Sequence, residues 1–392
     1  MKTIYLDYNA TSPIRPEVLE AMMPYLKDDF GNPSSLYLVG QRARKAVEGA
    51  RAKIAEFIGA RDPDEIVFTS GGTEADNLAI KGAALGNIRK AKRIVISAIE
   101  HSAVREAASF LRKVDSFQVV EKPVEPSGAI DPDDFDEFLT PDTTLVSIMA
   151  VNNETGVIQP VDKFSPGLRR KGILFHTDAV QAAGRIKIDV DGWGADLLTL
   201  SGHKFGAPKS VGILYVRKGT RMEGLIQGGS QEKNRRGGTE NVAAIVGMGV
   251  AADLAKKELE KESIRIQKMR DNLEGTLLSR IPNSFVNGAG AKRVANTTNI
   301  CFEYTESSKM IMALDLKGVS ASNGSACASG NPNPSHVLLA MGLPQDKAHA
   351  SMRFSLGHSN TEEEIKKAAE IIVQTVSEVR ATNPLWKEKA LL

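Results

Sequence analysis

Six short apolar, β-rich runs mark the first two-thirds of the chain, at residues 65–68, 93–97, 145–150, 173–176, 196–200 and 212–216. Helical patterns separate several of them, as at 75–85 and 102–113. Strands alternating with helices predict an α/β domain with a largely parallel sheet. The last two runs are too close in sequence for a helical crossover, so they are expected to pair antiparallel.

Beyond residue 241 the pattern changes. Residues 242–278 are charged and periodic, and predict one or two helices leading out of this domain. Strand-like segments at 284–286, 296–303 and 318–320 then alternate with helical ones at 309–316 and 361–381, an α+β arrangement. The opening segment 4–9 is expected to join it. The division expected is a large domain over 16–259 and a small one formed by 1–15 and 260–392. A length of 392 residues is in keeping with two cores. There are no internal repeats and no low-complexity linker.

Composition narrows the function classes. The chain is 42% hydrophobic and 25% charged, as in ordinary globular proteins. Fifty basic residues face 48 acidic ones, a net charge of +2, which supports neither a nucleic-acid groove nor a polybasic membrane face. No apolar run approaches the ~20 residues of a membrane span. The opening MKTIYLDYNATSPIRP lacks the apolar stretch of a signal peptide, so the cytoplasm is the expected compartment. Two cysteines make no disulfide framework, and no Cys/His spacing suggests a metal. Cys301, in NTTNICFEY, reads as a small buried hydrophobe. Cys327, in SASNGSACASGNPNPS, lies among turn formers, where a thiol can be exposed and reactive.

Three places carry candidate chemistry. In SGHK, residues 201–204, a histidine and a lysine occupy the turn between two buried runs. A solvated turn lysine is one reading; the other is a lysine kept near the core because its amine is reactive. In SGGTEADNLAI, residues 70–80, Gly71, Gly72 and Thr73 stand where a strand gives way to a helix, a position that favours a phosphate. A plain capped turn reads the same way, and without a Walker lysine or GxGxxG no nucleotide is implied. In ILFHTDAVQAAG, residues 173–184, an apolar strand runs into Asp178, with Gln181 three residues on. Asp178 is either a helix cap or a carboxylate at the ligand-binding end of a sheet. A phosphate cup, a strand-end acid and a lysine, in that order, suit pyridoxal 5'-phosphate (PLP), whose ring nitrogen pairs with an acid and whose aldehyde takes a lysine.

Eight motifs in order carry a resemblance over nearly the whole chain, from YLDYNATSP to NPLW: FTSGGTEADNLAI, EHSAV, VNNETG, TDAVQ, SGHK, RRGGTEN, GSAC and SMRFSLG. The sequence resembles the cysteine desulfurases of the iron–sulfur-assembly and nitrogenase-associated group. Their fold is that of the class V aminotransferases, the aspartate-aminotransferase-like fold type I of PLP-dependent transferases. The resemblance implies that Lys204 binds PLP covalently and later moves protons. It implies that His101 stacks on the pyridine ring; without it, a helix N-terminal histidine is the simpler reading. By the same resemblance Asp178 pairs with the ring nitrogen, and Gln181 and Asn153 lie near the ring hydroxyl. Gly72, Thr73, Ser201 and His203 are then expected at the phosphate, joined by Thr239 from the other subunit of a homodimer. Arg353 is expected to grip the substrate carboxylate, with Asn153 nearby; a strand arginine in a surface ion pair is the alternative. Cys327 is implied as the nucleophile that takes sulfur from L-cysteine as a persulfide, releasing L-alanine. The interval from Cys327 to Ser335 resembles the longer mobile loop of this group.

The implied partners are L-cysteine, a second subunit and a sulfur acceptor, either an iron–sulfur scaffold or another carrier protein. One departure stands at Tyr37, where the family commonly has histidine, and it bears on substrate entry. The alternative functions are a selenocysteine lyase or aminotransferase of the same fold, and an assembly scaffold without turnover. Near the C-terminus, Trp386 is expected either to pack back on the small domain or to help receive the acceptor.

Overall fold

The computed structural model describes residues 3–88, 91–324 and 334–389. In chain order its strands are β1 (Ile4–Tyr5), β2 (Ile66–Thr69), β3 (Arg93–Ser97), β4 (Gln118–Lys122), β5 (Thr143–Ser147), β6 (Leu174–Asp178), β7 (Leu197–Ser201), β8 (Gly212–Val216), β9 (Ser284–Val286), β10 (Thr297–Phe302), β11 (Val319–Ser320) and β12 (Ser351–Ser355).

The six apolar runs all enter one seven-stranded sheet of order β2-β8-β7-β6-β5-β3-β4. Only β8 runs against its neighbours. Leu197 pairs with Val216 and Ser201 with Gly212. The short turn at 202–211 leaves no room for a crossover, so reversal is the geometry available. All residues of β5, β7 and β8 are buried. Helices lie over both faces of such strands, which is why they read as continuous apolar runs. The seventh strand, β4, has the sequence QVVEK and sits at the sheet edge with partly exposed residues. Its mixed pattern carries no strand signal; it forms because β3 offers an open parallel edge.

The helix after β2 runs from Gly72 to Gly86, with a single π turn over Leu78–Gly82 between two α-helical parts. It begins earlier than its periodicity suggests, because Gly71 has φ +149°, a conformation side chains rarely adopt, and turns the strand directly into the helix.

Apolar side chains fill one face of the large sheet with Val67, Leu78, Ile94, Leu111 and Leu214, and two further large cores are joined by a helix. One flanks the sheet and includes Ile54, Phe68, Val146, Phe175 and Leu200. The other includes Leu6, Leu273, Ile300, Phe354 and Ile372. The periodic stretch after residue 241 is one helix of 39 residues, Val242–Arg280, and it joins them. Ala244, Ile245 and Met248 pack in the first core; Met269, Leu273 and Leu277 pack in the second. Burying the latter three takes about 1.5–3 kcal/mol each from contact with water, so the helix is held at both ends.

In the second core β10 is the central strand of an antiparallel sheet of order β12-β10-β9. The chain's opening reaches it through β1, which pairs parallel with β11, and through bridges from Asp7 to Ser355 and from Ser322 to Arg353. Trp386 packs against Tyr304 at 5.4 Å between ring centroids, with the Arg380 guanidinium 4.5 Å from its ring centre. The packing alternative is therefore the one seen for this residue.

Candidate active site

Four strands of the large sheet deliver polar residues to their carboxyl ends: β3 to Glu100 and His101, β5 to Asn153 and Glu154, β6 to Asp178, and β7 to Ser201–Lys204. A parallel sheet concentrates its ligand-facing loops at this end. Arg353, from the central part of β12, reaches the same region from the other core.

Lys204 ends a short 3-10 turn after β7. Its Nζ donates to the carbonyls of Asn9 at 2.7 Å and Ala10 at 2.8 Å. The segment Asn9–Ser12 thus lies against the turn, further fixed by Ser12 N donating to His203 O at 2.8 Å. His203 Nδ1 and Thr11 Oγ1 are 3.1 Å apart. Burial, with the Lys204 charge next, lowers the His203 pKa to about 4, so the ring is neutral at pH 7.

At the helix start, a Cβ on Gly72 would come 3.2 Å from both Ser201 Cβ and Val180 Cγ2. The bare backbone is what lets the helix N-terminus, the end of β7 and the loop after β6 meet. The first-turn amides of Gly72, Thr73 and Glu74 have no carbonyl one turn back within the helix. Glu74 accepts from Arg236 Nε at 2.9 Å, which ties the loop 235–241 to this helix start. Thr239, on that loop, is exposed.

Asp178 is buried, and its Oδ1 accepts from Val180 N at 2.9 Å. Burial raises its pKa, opposed by the nearby charges of His101 and Lys204 and by the Val180 amide. Asp76, on the helix after β2, is raised well above the carboxylate range by burial and then by Asp178 itself. A shared negative charge belongs on Asp178, which has the compensating groups. His101 caps the helix Ser102–Val114, its Nδ1 accepting from Ala103 N at 3.2 Å.

Gln181 Nε2 donates to Asn9 O at 2.9 Å, and its Oε1 accepts from Arg185. Asn153 contributes its carbonyl, which accepts from Asn9 Nδ2 at 3.1 Å and from Arg353 Nη1 at 2.9 Å. Arg353 is 2% exposed. The surface ion pair allowed by the sequence is thus replaced by one in which the arginine is buried, with Arg353 Nη2 2.6 Å from Asp7 Oδ1. Arg353 Nε has no hydrogen-bond partner among the described residues. Cys327 lies outside the described residues. Tyr37 is exposed, immediately before the helix Leu38–Ile58.

Several residues of the site carry no sequence signal. Asn9 and Asp7 act across almost the whole chain length. Glu100 is buried with its pKa raised to about 8, chiefly by burial; its Oε1 accepts from Ser97 Oγ at 2.6 Å and Met149 N at 2.7 Å. His176 sits two residues before Asp178 on the same face of β6, with Nδ1 2.8 Å from Ser147 Oγ and Nε2 3.1 Å from Thr199 Oγ1. Its Nε2 is 3.7 Å from Asp76 Oδ1. This is not an ion pair, because burial lowers the histidine to about 3 and raises the acid. A histidine inside an apolar strand was the one available hint of this polar belt.

The residues fit PLP. An open helix start beside Ser201, made possible by the missing Cβ at Gly72, suits a phosphate, and the buried Asp178 suits a protonated ring nitrogen. Lys204, in the turn that follows Ser201, supplies an amine.

Comparison with known proteins places the whole chain. The model of the family "Aminotransferase class-V" matches residues 4–368. The chain is 47% identical over 387 residues to the cysteine desulfurase IscS of Dictyoglomus turgidum, covering 99% of this chain and 98% of that one. It is 46% identical to the cysteine desulfurase IscS of Methanosarcina thermophila, covering 98% and 94%. Among solved structures, a NifS-like protein superposes with a TM-score of 0.90 at 34% identity, covering 96% of this chain and all of that one. SspA in complex with cysteine superposes at 0.80 and 36% identity, covering 90% and 98%. With the sheet, the lysine turn and the full-length match all in agreement, the chain belongs to the class-V aminotransferase family and uses PLP as its cofactor.

Proposed function

We infer that the protein is a cysteine desulfurase that converts L-cysteine and the Cys327 thiol into L-alanine and a Cys327 persulfide. The overall change balances: the substrate's sulfur moves to the thiol sulfur, and its carbon receives a proton. The observation that carries the reading is the chain of contacts from Lys204 through Asn9 and Asn153 to Arg353. It ties a reactive amine to a guanidinium, as an α-amino acid requires.

PLP bound here supplies an electron-withdrawing ring that stabilises charge at the carbon next to the substrate nitrogen. Lys204 Nζ would hold it and move the substrate's α-proton. Asp178 would carry the negative charge at the buried end of the site, since His101, Lys204 and the Val180 amide oppose the effect of burial there, whereas burial and Asp178 both raise Asp76. Gly72, Thr73, Ser201 and the neutral His203 would hold the phosphate of bound PLP, Gln181 and Asn153 would serve its ring hydroxyl, and His101 would pack on its ring. Arg353 Nε is buried and has no hydrogen-bond partner among the described residues, a donor that a substrate carboxylate would satisfy.

The finer parts of the reading concern assembly and partners. Thr239 is exposed on a loop tied by Arg236 to Glu74, in keeping with a phosphate contact across a homodimer. The persulfide passes to an iron–sulfur scaffold or another sulfur-acceptor protein. Among the described residues no helix is long and apolar enough to cross a membrane, and the cytoplasm is the proposed location. The test is to incubate the PLP-bound protein with L-cysteine and measure alanine, persulfide and sulfide together. Equal amounts of alanine and mobilised sulfur are expected. No alanine from PLP-loaded protein overturns the reading and favours a scaffold without turnover.

A further inference from the structure

Glu154 is buried, 2% exposed, in the turn after β5, and its carboxylate has no place in the reaction described above. The turn that presents it is tightly fixed. Asn152 Oδ1 accepts from the amides of Glu154 and Thr155, both at 3.0 Å, and from Thr155 Oγ1 at 3.1 Å. Glu154 O accepts from Asn299 Nδ2 at 3.1 Å. Asn299 is the direct cross-strand partner of Arg353 on β12. The neighbouring carbonyl, of Asn153, accepts from the Arg353 guanidinium. The backbone around Glu154 is therefore registered to the arginine by two separate routes.

The Glu154 side chain points to two residues that flank the segment 325–333, which contains Cys327. On the far side, Ser335 Oγ donates to Glu154 Oε2 and also accepts from Leu338 N at 3.2 Å, capping the helix His336–Ala340. On the near side, Gly324 lies directly against the carboxylate: a Cβ there would stand 2.8 Å from Oε2 and 3.1 Å from Cδ. Gly324 has φ +91°, which also favours glycine. Its amide donates to Ser322 Oγ at 3.1 Å, and Ser322 exchanges backbone hydrogen bonds with Arg353. Both flanks thus lead back to the same arginine, one through Ser322 and one through Glu154.

We propose that Glu154 is a positioning residue for sulfur transfer: wedged between Gly324 and Ser335, it sets both ends of the Cys327 segment in register with Arg353. The proposal rests on the desulfurase reading. An acceptor of the right size is what the geometry uses, since Ser335 donates to Oε2 and Gly324 packs on it. Burial raises the pKa of Glu154, opposed by the Ser335 hydrogen bond and the Arg353 charge. A neutral amide can fill the same space and accept the same bond.

The experiment compares wild type with Glu154→Ala, Glu154→Gln and Ser335→Ala, each as PLP-bound protein. Three quantities are read: the rate of Cys327 persulfide formation at saturating L-cysteine, the half-saturating L-cysteine concentration, and PLP affinity by titration of the apo form. Iodoacetamide trapping followed by mass spectrometry of the Cys327 peptide separates thiol from persulfide, whose adducts differ by one sulfur, with Cys301 silent because it is buried. Glu154→Ala is expected to slow persulfide formation roughly ten- to a hundredfold, the scale of an ångström's misplacement. Half-saturation and PLP affinity should stay within about twofold, Glu154→Gln should recover most of the rate, and Ser335→Ala should fall between. If Glu154→Ala does not fold, Ser335→Ala decides by the same criteria. An unchanged rate, a Gln variant no better than Ala, or parallel losses in PLP affinity and half-saturation overturn the proposal. Wild type that labels at Cys327 but makes no persulfide overturns the desulfurase reading beneath it, whereas active wild type with unaffected variants overturns only the positioning role.

Discussion

The buried Arg353 and the partly exposed Asp7 form an ion pair, Nη2 to Oδ1 at 2.6 Å, that brings a strand near the C-terminus together with the seventh residue of the chain. The pair is 346 residues apart in sequence. It occupies one edge of the guanidinium, Asn153 O takes another donor, and Nε has no hydrogen-bond partner among the described residues. The protein itself thus fixes the guanidinium in one orientation, and if Arg353 receives the substrate carboxylate as proposed, that order lowers the cost of binding.

Arg353→Lys is expected to raise KM for L-cysteine roughly ten- to a hundredfold, the value of a charge-assisted hydrogen bond of about 1.5–3 kcal/mol. One ammonium cannot serve Asp7, Asn153 O and a carboxylate in three directions. Steady-state alanine formation checks this; an unchanged KM would remove Arg353 from the substrate site.

Lys204→Ala should fold normally and lose covalent attachment of PLP. Lys204 is half-buried, and its Nζ donates to the backbone carbonyls of Asn9 and Ala10, groups that solvent can satisfy in its place. Borohydride reduction followed by peptide mapping should place the label on Lys204 in wild type. Label on a different lysine would refute the assignment.

Asp178→Asn should reduce turnover by orders of magnitude and change the melting temperature little. The carboxylate is already raised by burial, so a neutral amide relieves a cost to folding even as it removes the charge that PLP requires. Turnover close to wild type would count against the ring-nitrogen role.

Cys301→Ser should keep its activity, whereas Cys327→Ser should bind PLP and L-cysteine but form no persulfide. Cys301 is fully buried on β10 and its thiol is pushed up to about 12 by burial, which leaves no thiolate at neutral pH. The reverse pattern of phenotypes would be decisive against the nucleophile assigned.

Glu100 gives the protein a pH dependence of known sign. Its folded pKa of about 8 lies above the unfolded value, so the folded state holds the extra proton between about pH 4.5 and 8. The stabilisation is fully present below that window and is lost as pH rises through 8. The whole effect is at most a few kcal/mol. Melting temperature against pH should fall less steeply toward pH 8 in Glu100→Gln than in wild type. Parallel curves would show that Glu100 ionises normally.

Much of this molecule was readable from its linear order. The six buried runs became strands because apolar β-rich segments of that length have few other ways to bury both faces. The close spacing of residues 200 and 212 dictated an antiparallel pair. Lys204, Asp178 and Gly72 were visible because each sits where a strand ends, and the chemistry of a strand end is local. Cys301 was legible as a core residue for the same reason.

Tertiary structure decided the remainder, since a side chain's partners depend on chain segments that no local pattern relates. β4 is a strand only because β3 has a free edge for it. Asn9 closes over Lys204 and Asp7 orients Arg353 because β1 pairs with β11 and delivers the N-terminus to the second core. Glu154 reads as an unremarkable acid in VNNETG, and acquires a purpose only when Gly324 and Ser335 are folded against its two sides. The polar belt of Ser147, His176, Thr199 and Asp76 is likewise assembled from neighbouring strands and a helix. Burial and register set the charges and contacts of these residues, and both are properties of the packed fold.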